Sequence, residues 1–333
     1  MKHKIGYFAC LLMVGILFAA CEKMVLDEYA QSADGSEKDN VVIREAEIET
    51  GWGKASSRTL TDVSEVCSRV AFVVYQNGNK VKHEYQTKDD NGFGSYTVQL
   101  DEGTYQLFVL AHSGKKSASI SESGPIATFS NPESQSGTGY TDTFYYYGDM
   151  TVNGNNTQVN VSMQRATAMF RLKTTDAKPE EVKKLQFYYE GGSRILDGTT
   201  GYGSGNAEQS VFVSLDDSQT GKSLEIDMYT FLKAETGNVT FTVRAFKAND
   251  DVISKYTREF KDVPMQRNCI TRYTGSFFGN STPDPGPDEP DNPDNPDNPD
   301  NPDNPDNPDD PNEPEPLVIQ VDPEWGEIFD YDF

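Results

Sequence analysis

From Arg58 to Gly279 apolar and polar side chains alternate with a period of two, the spacing of strands that turn one face to a core. RVAFVVYQNGNKV reads as a strand running into a turn, because Asn77 and Gly78 tolerate the positive φ that a tight hairpin demands. In SYTVQLDEGTYQLFVLAH, Tyr96, Val98 and Leu100 alternate, Asp101-Glu102-Gly103 turns the chain, and Tyr105, Leu107, Val109 and Ala111 alternate again. That pattern predicts a hairpin with one buried face. TVNGNNTQVNVSM reads as a further strand, followed by RATAMFRLK, KKLQFYYEG, SVFVSL, SLEIDMYTFL and NVTFTVRAF. The one helix candidate of note is the short, charged PEEVKK after Lys178. Short strands rich in Tyr, Phe, Val and Thr at intervals of roughly 8–12 residues indicate antiparallel β-sandwiches. The chain is therefore read as all-β, with an N-terminal sandwich over 58–163 and a C-terminal one over 164–280. Residues 21–57 are polar around one island, VVIREAEIE, which serves as a spacer or supplies the first edge strand.

Beyond residue 280 the pattern changes twice. Over 281–316 Asp-Asn-Pro triplets dominate; proline at every third position forbids helix and central strand and favours polyproline II. With three residues per turn the Asp side chains share one face, about 9 Å apart, too far for one cation to bridge neighbours. The Asp ladder thus reads as solvation and mutual repulsion that keep a spacer extended, up to about 110 Å. Residues 317–333 then alternate again: Leu317, Ile319, Val321, Trp325, Phe329, Tyr331 and Phe333 stand on one face, interrupted by Pro323 and Glu327. A lone strand with one apolar face needs a partner in water. It returns to its own second sandwich, or it adds to an open groove of another protein, where main-chain hydrogen bonds give affinity and alternate side chains fill pockets, or it only touches a surface receptor or an export machine.

The N-terminus settles the destination. MKHK is basic, IGYFACLLMVGILF is apolar but short for a membrane span, and Ala19-Ala20 precedes Cys21, so residues 1–20 read as a secretion signal. LFAAC resembles a bacterial lipobox, which makes Cys21 the expected lipid-attachment residue. The formal charge of −24 becomes −26 once Lys2 and Lys4 leave with the signal. The 18 acidic side chains of 281–333 account for most of it, leaving about −8 on the body; nucleic acid is not an expected partner of such a tail. Cys67 and Cys269 could form one disulfide or remain buried thiols. No Cys-His spacing suggests zinc, and no cofactor is expected.

Several of these pieces together resemble the fimbrillin superfamily of Bacteroidales. They are the lipobox LFAAC, the stretch LDEGTYQLFVLAH, the arginine-led RATAMFRLK, and VPMQRNCITRYTGSFFG with its Arg267-Asn268-x-x-Thr271-x-Tyr273-x-Gly275 pattern. The resemblance covers about 260 residues and is closest to anchor-type or accessory subunits of type V fimbriae; the Asn-Pro-Asp tail falls outside it. It implies a lipoprotein of the outer membrane and cell surface with two tandem transthyretin-like sandwiches, assembled with other fimbrial subunits by β-strand addition. It also implies that shaft subunits lose an N-terminal strand when a protease cuts after an arginine, for which Arg44 and Arg58 are the candidates here, while anchor subunits keep strand and lipid.

A second reading is a surface lipoprotein that captures a glycan or host ligand, with Tyr145-Tyr146-Tyr147 and Phe187-Tyr188-Tyr189 as stacking platforms. Consecutive strand residues point to opposite faces, so core packing explains these runs more simply. Catalysis is not expected: His83 and His112 sit in no motif, and there is no P-loop, dinucleotide fingerprint or G-x-S-x-G elbow.

Overall fold

A computed structural model describes residues 40–49, 60–134, 137–154 and 157–279. The first part of the chain forms β1 (Val41–Glu49), β2 (Leu60–Asp62), the short helix α1 (Val63–Val66), β3 (Arg69–Gln76), β4 (Asn79–Thr87), β5 (Tyr96–Val98), β6 (Gly103–His112), β7 (Ser119–Ile120), β8 (Ile126–Thr128), β9 (Thr143–Val152) and β10 (Thr157–Arg165). The second part forms β11 (Thr167–Thr174), β12 (Lys184–Glu190), β13 (Ile195–Asp197), β14 (Tyr202–Gly203), β15 (Gln209–Ser214), β16 (Glu225–Phe231), β17 (Thr236–Phe246), β18 (Val252–Gln266) and β19 (Ile270–Gly275). The all-β expectation holds, in several mostly antiparallel sheets packed face to face.

Strands β2–β1–β10–β9–β6–β3–β4 run side by side, with β5 attached to β1. β10 joins β9 through only two residue pairs, Gln164 with Tyr145 and Arg165 with Phe144, and the sheet folds over at that seam. Val41, Ile43, Val161 and Met163 from one half therefore meet Phe72, Leu107, Val109 and Val152 from the other in a single core. The turn after β3 forms as read: Asn77 and Gly78 take φ of 51° and 79°, and Gln76 faces Asn79 across the hairpin.

The expected hairpin across Asp101-Glu102-Gly103 does not form. β5 pairs with β1, while β6 pairs with β3 and β9, so the chain crosses from one layer of the sandwich to the other. The crossing is fixed where Leu100 N–H donates to Asn40 Oδ1 at 2.9 Å and Tyr105 Oη to the Asp101 carbonyl at 3.0 Å. Nor has β6 a single buried face. Phe108 and Leu110, on the side away from the core, are also buried, because the small sheet β7–β8–β13–β14 lies over them. That sheet is shared between the two parts of the chain: β8 comes from the first, β13 from the second, with Leu196 opposite Ala127. Gly198 approaches so closely that a Cβ there would lie 2.5 Å from the Phe108 ring.

In the second sandwich β16–β11–β19 faces β15–β12–β17–β18. Its center is aromatic: the Phe170 and Phe241 rings stack with centroids 4.1 Å apart, Tyr189 stacks on Phe241 at 5.0 Å, and Tyr273 leans on Phe170 at 5.4 Å. PEEVKK is a turn and not a helix; Val182 is drawn into the core and its N–H reaches only to the Pro179 carbonyl, at 3.2 Å. Two strand pairs depart from the antiparallel expectation: β1 with β10, and β11 with β19. Phe170→Ala should cost about 4 kcal/mol, since a ring with no exposed surface leaves a cavity that its neighbors cannot fill. Urea unfolding followed by tyrosine fluorescence would measure it, and a cost below about 1 kcal/mol would contradict the packing described.

Candidate functional site: the first strand, the seam and the exit

β1 is an interior strand and not the edge strand its sequence allowed. β10 runs parallel to it on one side, from Val41 opposite Thr157 to Ile48 opposite Met163. On the other side β5 pairs with Val41–Ile43 and β2 with Glu47–Glu49. Val41 and Ile43 have no exposed surface. The strand is pinned at its start by Asn40, whose buried carboxamide donates to the Leu100 and Gly154 carbonyls at 2.8 and 3.2 Å and accepts from Leu100 N–H. The main-chain carbonyl of Asn40 accepts from Thr157 N–H at 2.9 Å. Each hydrogen-bonding group of a buried amide costs free energy if unmet, and here both ends are satisfied.

Between β10 and β11 only Ala166 intervenes, and the arginine before it is the most confined charge near the seam. Arg165 is 7% exposed. Its Nε and Nη2 donate to the Asp142 carboxylate at 2.9 and 2.9 Å, and Nη1 donates to Asn268 Oδ1 at 2.8 Å. The guanidinium lies over the Phe144 ring, 4.7 Å from its centroid. Thr167 Oγ1 completes the carboxylate's shell at 2.9 Å. Asn268 sits at φ 58° in the turn between β18 and β19, and its N–H donates to the Thr167 carbonyl. Beside it Arg267 stacks on Tyr202, 4.6 Å from the centroid, and pairs with Glu235 at 3.3 Å. Two of the sequence stretches that carried the resemblance, RATAMFRLK and QRNCITRY, therefore meet in one hydrogen-bonded cluster.

The exit of the second sandwich is held by Asp176. Its carboxylate accepts from Ser276 Oγ, Phe277 N–H and Phe278 N–H at 3.0, 2.9 and 2.5 Å. Phe277 and Phe278 plug the core, and Arg258 donates to the Gly279 carbonyl at 2.9 Å. Nothing in the sequence marked Asn40, Asp142 or Asp176. Each lies just outside a strand and bonds to residues far along the chain, so no local pattern betrays it.

Of the residues singled out from sequence, Cys21, Arg58 and Leu317, Ile319, Val321, Trp325, Phe329, Tyr331 and Phe333 lie outside the described residues. Arg44 falls within β1, its backbone opposite Asn160, next to a register shift at Ala46. No disulfide joins Cys67 and Cys269 in the structure. Cys67 follows α1 and is buried in the first core, and burial pushes its thiol far above the usual range. Of the aromatic runs, Phe187 and Tyr189 have no exposed surface, Tyr146 packs half-buried on the core of the first sandwich, Tyr145 and Tyr147 pack half-buried under the small sheet, and Tyr188 is half-buried outside these cores. His83 stays on β4 against Tyr85. His112 is buried edge-on against Phe129, and its Nδ1 accepts from Gly114 N–H at 3.0 Å.

Residues 40–289 match the model of DUF6562, a family of unknown function. None of the curated proteins compared with the sequence matches it. Among solved structures the chain is similar to a candidate adhesin from Bacteroides ovatus, at 11% identity over 71% of this chain and 89% of that one, with a TM-score of 0.45. It is similar also to a candidate adhesin from Bacteroides thetaiotaomicron, at 13% identity over 73% and 93%, with a TM-score of 0.42. A third is the fimbrial anchor protein Mfa2 from Porphyromonas gingivalis, at 10% identity over 71% and 90%, with a TM-score of 0.40.

Two predictions follow the buried groups. Asp142→Ala should destabilize the protein by about 3–5 kcal/mol, because it strands the Arg165 charge, and adding Arg165→Leu should recover much of the loss. Urea midpoints of the single and double variants check this; a double variant as unstable as the single would contradict it. Burial and the Arg69 charge hold the folded His112 down at about 4, against an ordinary value of 6.5. The neutral ring's contribution is therefore complete above pH 6.5 and is lost as pH falls toward 4, by about 3 kcal/mol. In His112→Gln that share of the acid dependence should vanish from unfolding free energies measured across the window.

Proposed function

The chain belongs to DUF6562, a family of unknown function, and from that premise we propose that it is a structural subunit of a cell-surface fimbria, held to the outer membrane by lipid on Cys21 and joined to other fimbrial subunits by β-strand addition. The observation that carries this reading is β1. It fills a place between β10 on one side and β5 and β2 on the other, with Val41 and Ile43 as its plugs. A nine-residue strand that precedes the rest of its sandwich, paired along both edges, is a unit that another strand of the same pattern can replace.

The two candidate cuts differ in consequence. A cut after Arg58 separates all of β1 from β2 onward, whereas a cut after Arg44 splits β1 within its ladder to β10. Either cut severs Cys21 from the sandwiches. A lipid-held molecule of this chain therefore keeps β1, accepts no strand in that place, and meets its neighbor through its other end. The terminal segment suits that role: one apolar face, Leu317 to Phe333, on an acidic spacer whose proline repeat resists folding back.

Hydrogen exchange on the Cys21→Ser protein tests the reading. Amides of Leu317 to Phe333 should exchange rapidly in the dilute monomer and slow by at least about a hundredfold, near 3 kcal/mol, once a fimbrial subunit stripped of its first strand is added. Protection already present in the monomer would mean that the segment completes its own sandwich, and strand donation would fall.

A further inference from the structure

In both sandwiches the first strand and the last are parallel neighbors. β1 accompanies β10, and β11 accompanies β19 from Met169 opposite Ile270 to Thr174 opposite Gly275. Parallel neighbors begin at one end of the sheet and finish at the other. The chain therefore comes into the first sandwich at the start of β1 and leaves it at the far end of β10. It does the same in the second, between the start of β11 and the far end of β19. Tension between those points drags the paired strands along their own axes and loads the whole row of hydrogen bonds together. In a hairpin the two ends lie side by side, and the same tension opens the bonds one after another.

We infer that the two sandwiches are a load-bearing element, two parallel-strand clamps in series. The inference rests on the proposed function only in that a chain held at Cys21 and at its terminal strand would be under tension. A further observation supports it independently: each point through which the load would pass carries a polar lock. At the first, Asn40 ties the start of β1 to Leu100 and Gly154. At the seam, Arg165 ties β10 to Asp142 and to Asn268 across Ala166. At the last, Asp176 holds Ser276, Phe277 and Phe278, and Arg258 holds Gly279, where the chain leaves β19. β1 gains further resistance from β5 and β2, which must also be sheared for it to slide.

Single-molecule force spectroscopy tests this on the full chain carrying Cys21→Ser and Cys269→Ser. One grip is at the two ends; the other is at Ser223→Cys and the C-terminal end. Ser223 is exposed and precedes Leu224, whose carbonyl accepts from Thr174 N–H at 2.8 Å, so this second pair of grips starts from the same end of the sheet as the exit of β19. Pulled by its ends, the protein should show two ruptures, each at severalfold higher force than the rupture in the second geometry at the same loading rate. Asp176→Asn should lower one of the two and leave the other unchanged. End-to-end ruptures no stronger than those of the second geometry, or an Asp176→Asn trace identical to the parent, would overturn the inference. A single molecule is pulled without any partner, so strand addition could fail in the exchange experiment while the clamps stand, and the reverse.

Discussion

An arginine buried to within 7% of full enclosure cannot be left unpaired, and the organization of this protein follows from where its partners lie. Arg165 ends β10; Asp142 precedes β9; Asn268 comes from the turn before the last strand, 103 residues away. With a single residue between β10 and β11, satisfying one guanidinium fixes the seam of the first sheet, the start of the second sandwich and the β18–β19 turn together. The pair is weak evidence of net stability, since an apolar set of the same shape could do as well. Its value is registry: few other arrangements give the charge two planar partners and an aromatic face.

Around that point the two sandwiches share more than a covalent link. The small sheet pairs β8 with β13 and covers the outer face of β6, so Phe108, Leu110, Phe129, Leu196 and Phe231 form a third core that belongs to neither sandwich alone. A force or a displacement applied at one sandwich is thereby passed to the other through packed side chains, a hydrogen-bonded seam and shared strands. This is the arrangement expected of a rigid connector.

The chemistry of the ends and the body divide accordingly. The proposed lipid attachment at Cys21 and the proposed strand donation from Leu317 to Phe333 fall to segments flanking the body, and each would need only a short pattern to specify it. The body supplies geometry. Its aromatic runs, which as sequence could have been sugar platforms, go largely into packing, Tyr189 and Phe187 being wholly enclosed and Tyr145 and Tyr146 packing half-buried on opposite cores.

The sequence by itself determined what a period of two can determine: that the chain is all-β, that Asn77-Gly78 turns, and that RATAMFRLK begins a second half. Periodicity names the face of a residue but not the neighbor of a strand. For that reason the 96–111 stretch looked like a hairpin, while the structure sends β5 to β1 and β6 to β9, and VVIREAEIE became an interior strand beside a partner more than a hundred residues on. Phe108 and Leu110 looked outward because the layer that covers them comes partly from β13, beyond the reach of any local pattern. Parallel pairing of first with last strands, the burial of Arg165 and the locks at Asn40 and Asp176 belong to the tertiary structure alone, since each is a contact between distant segments whose energy exists only when both are in place.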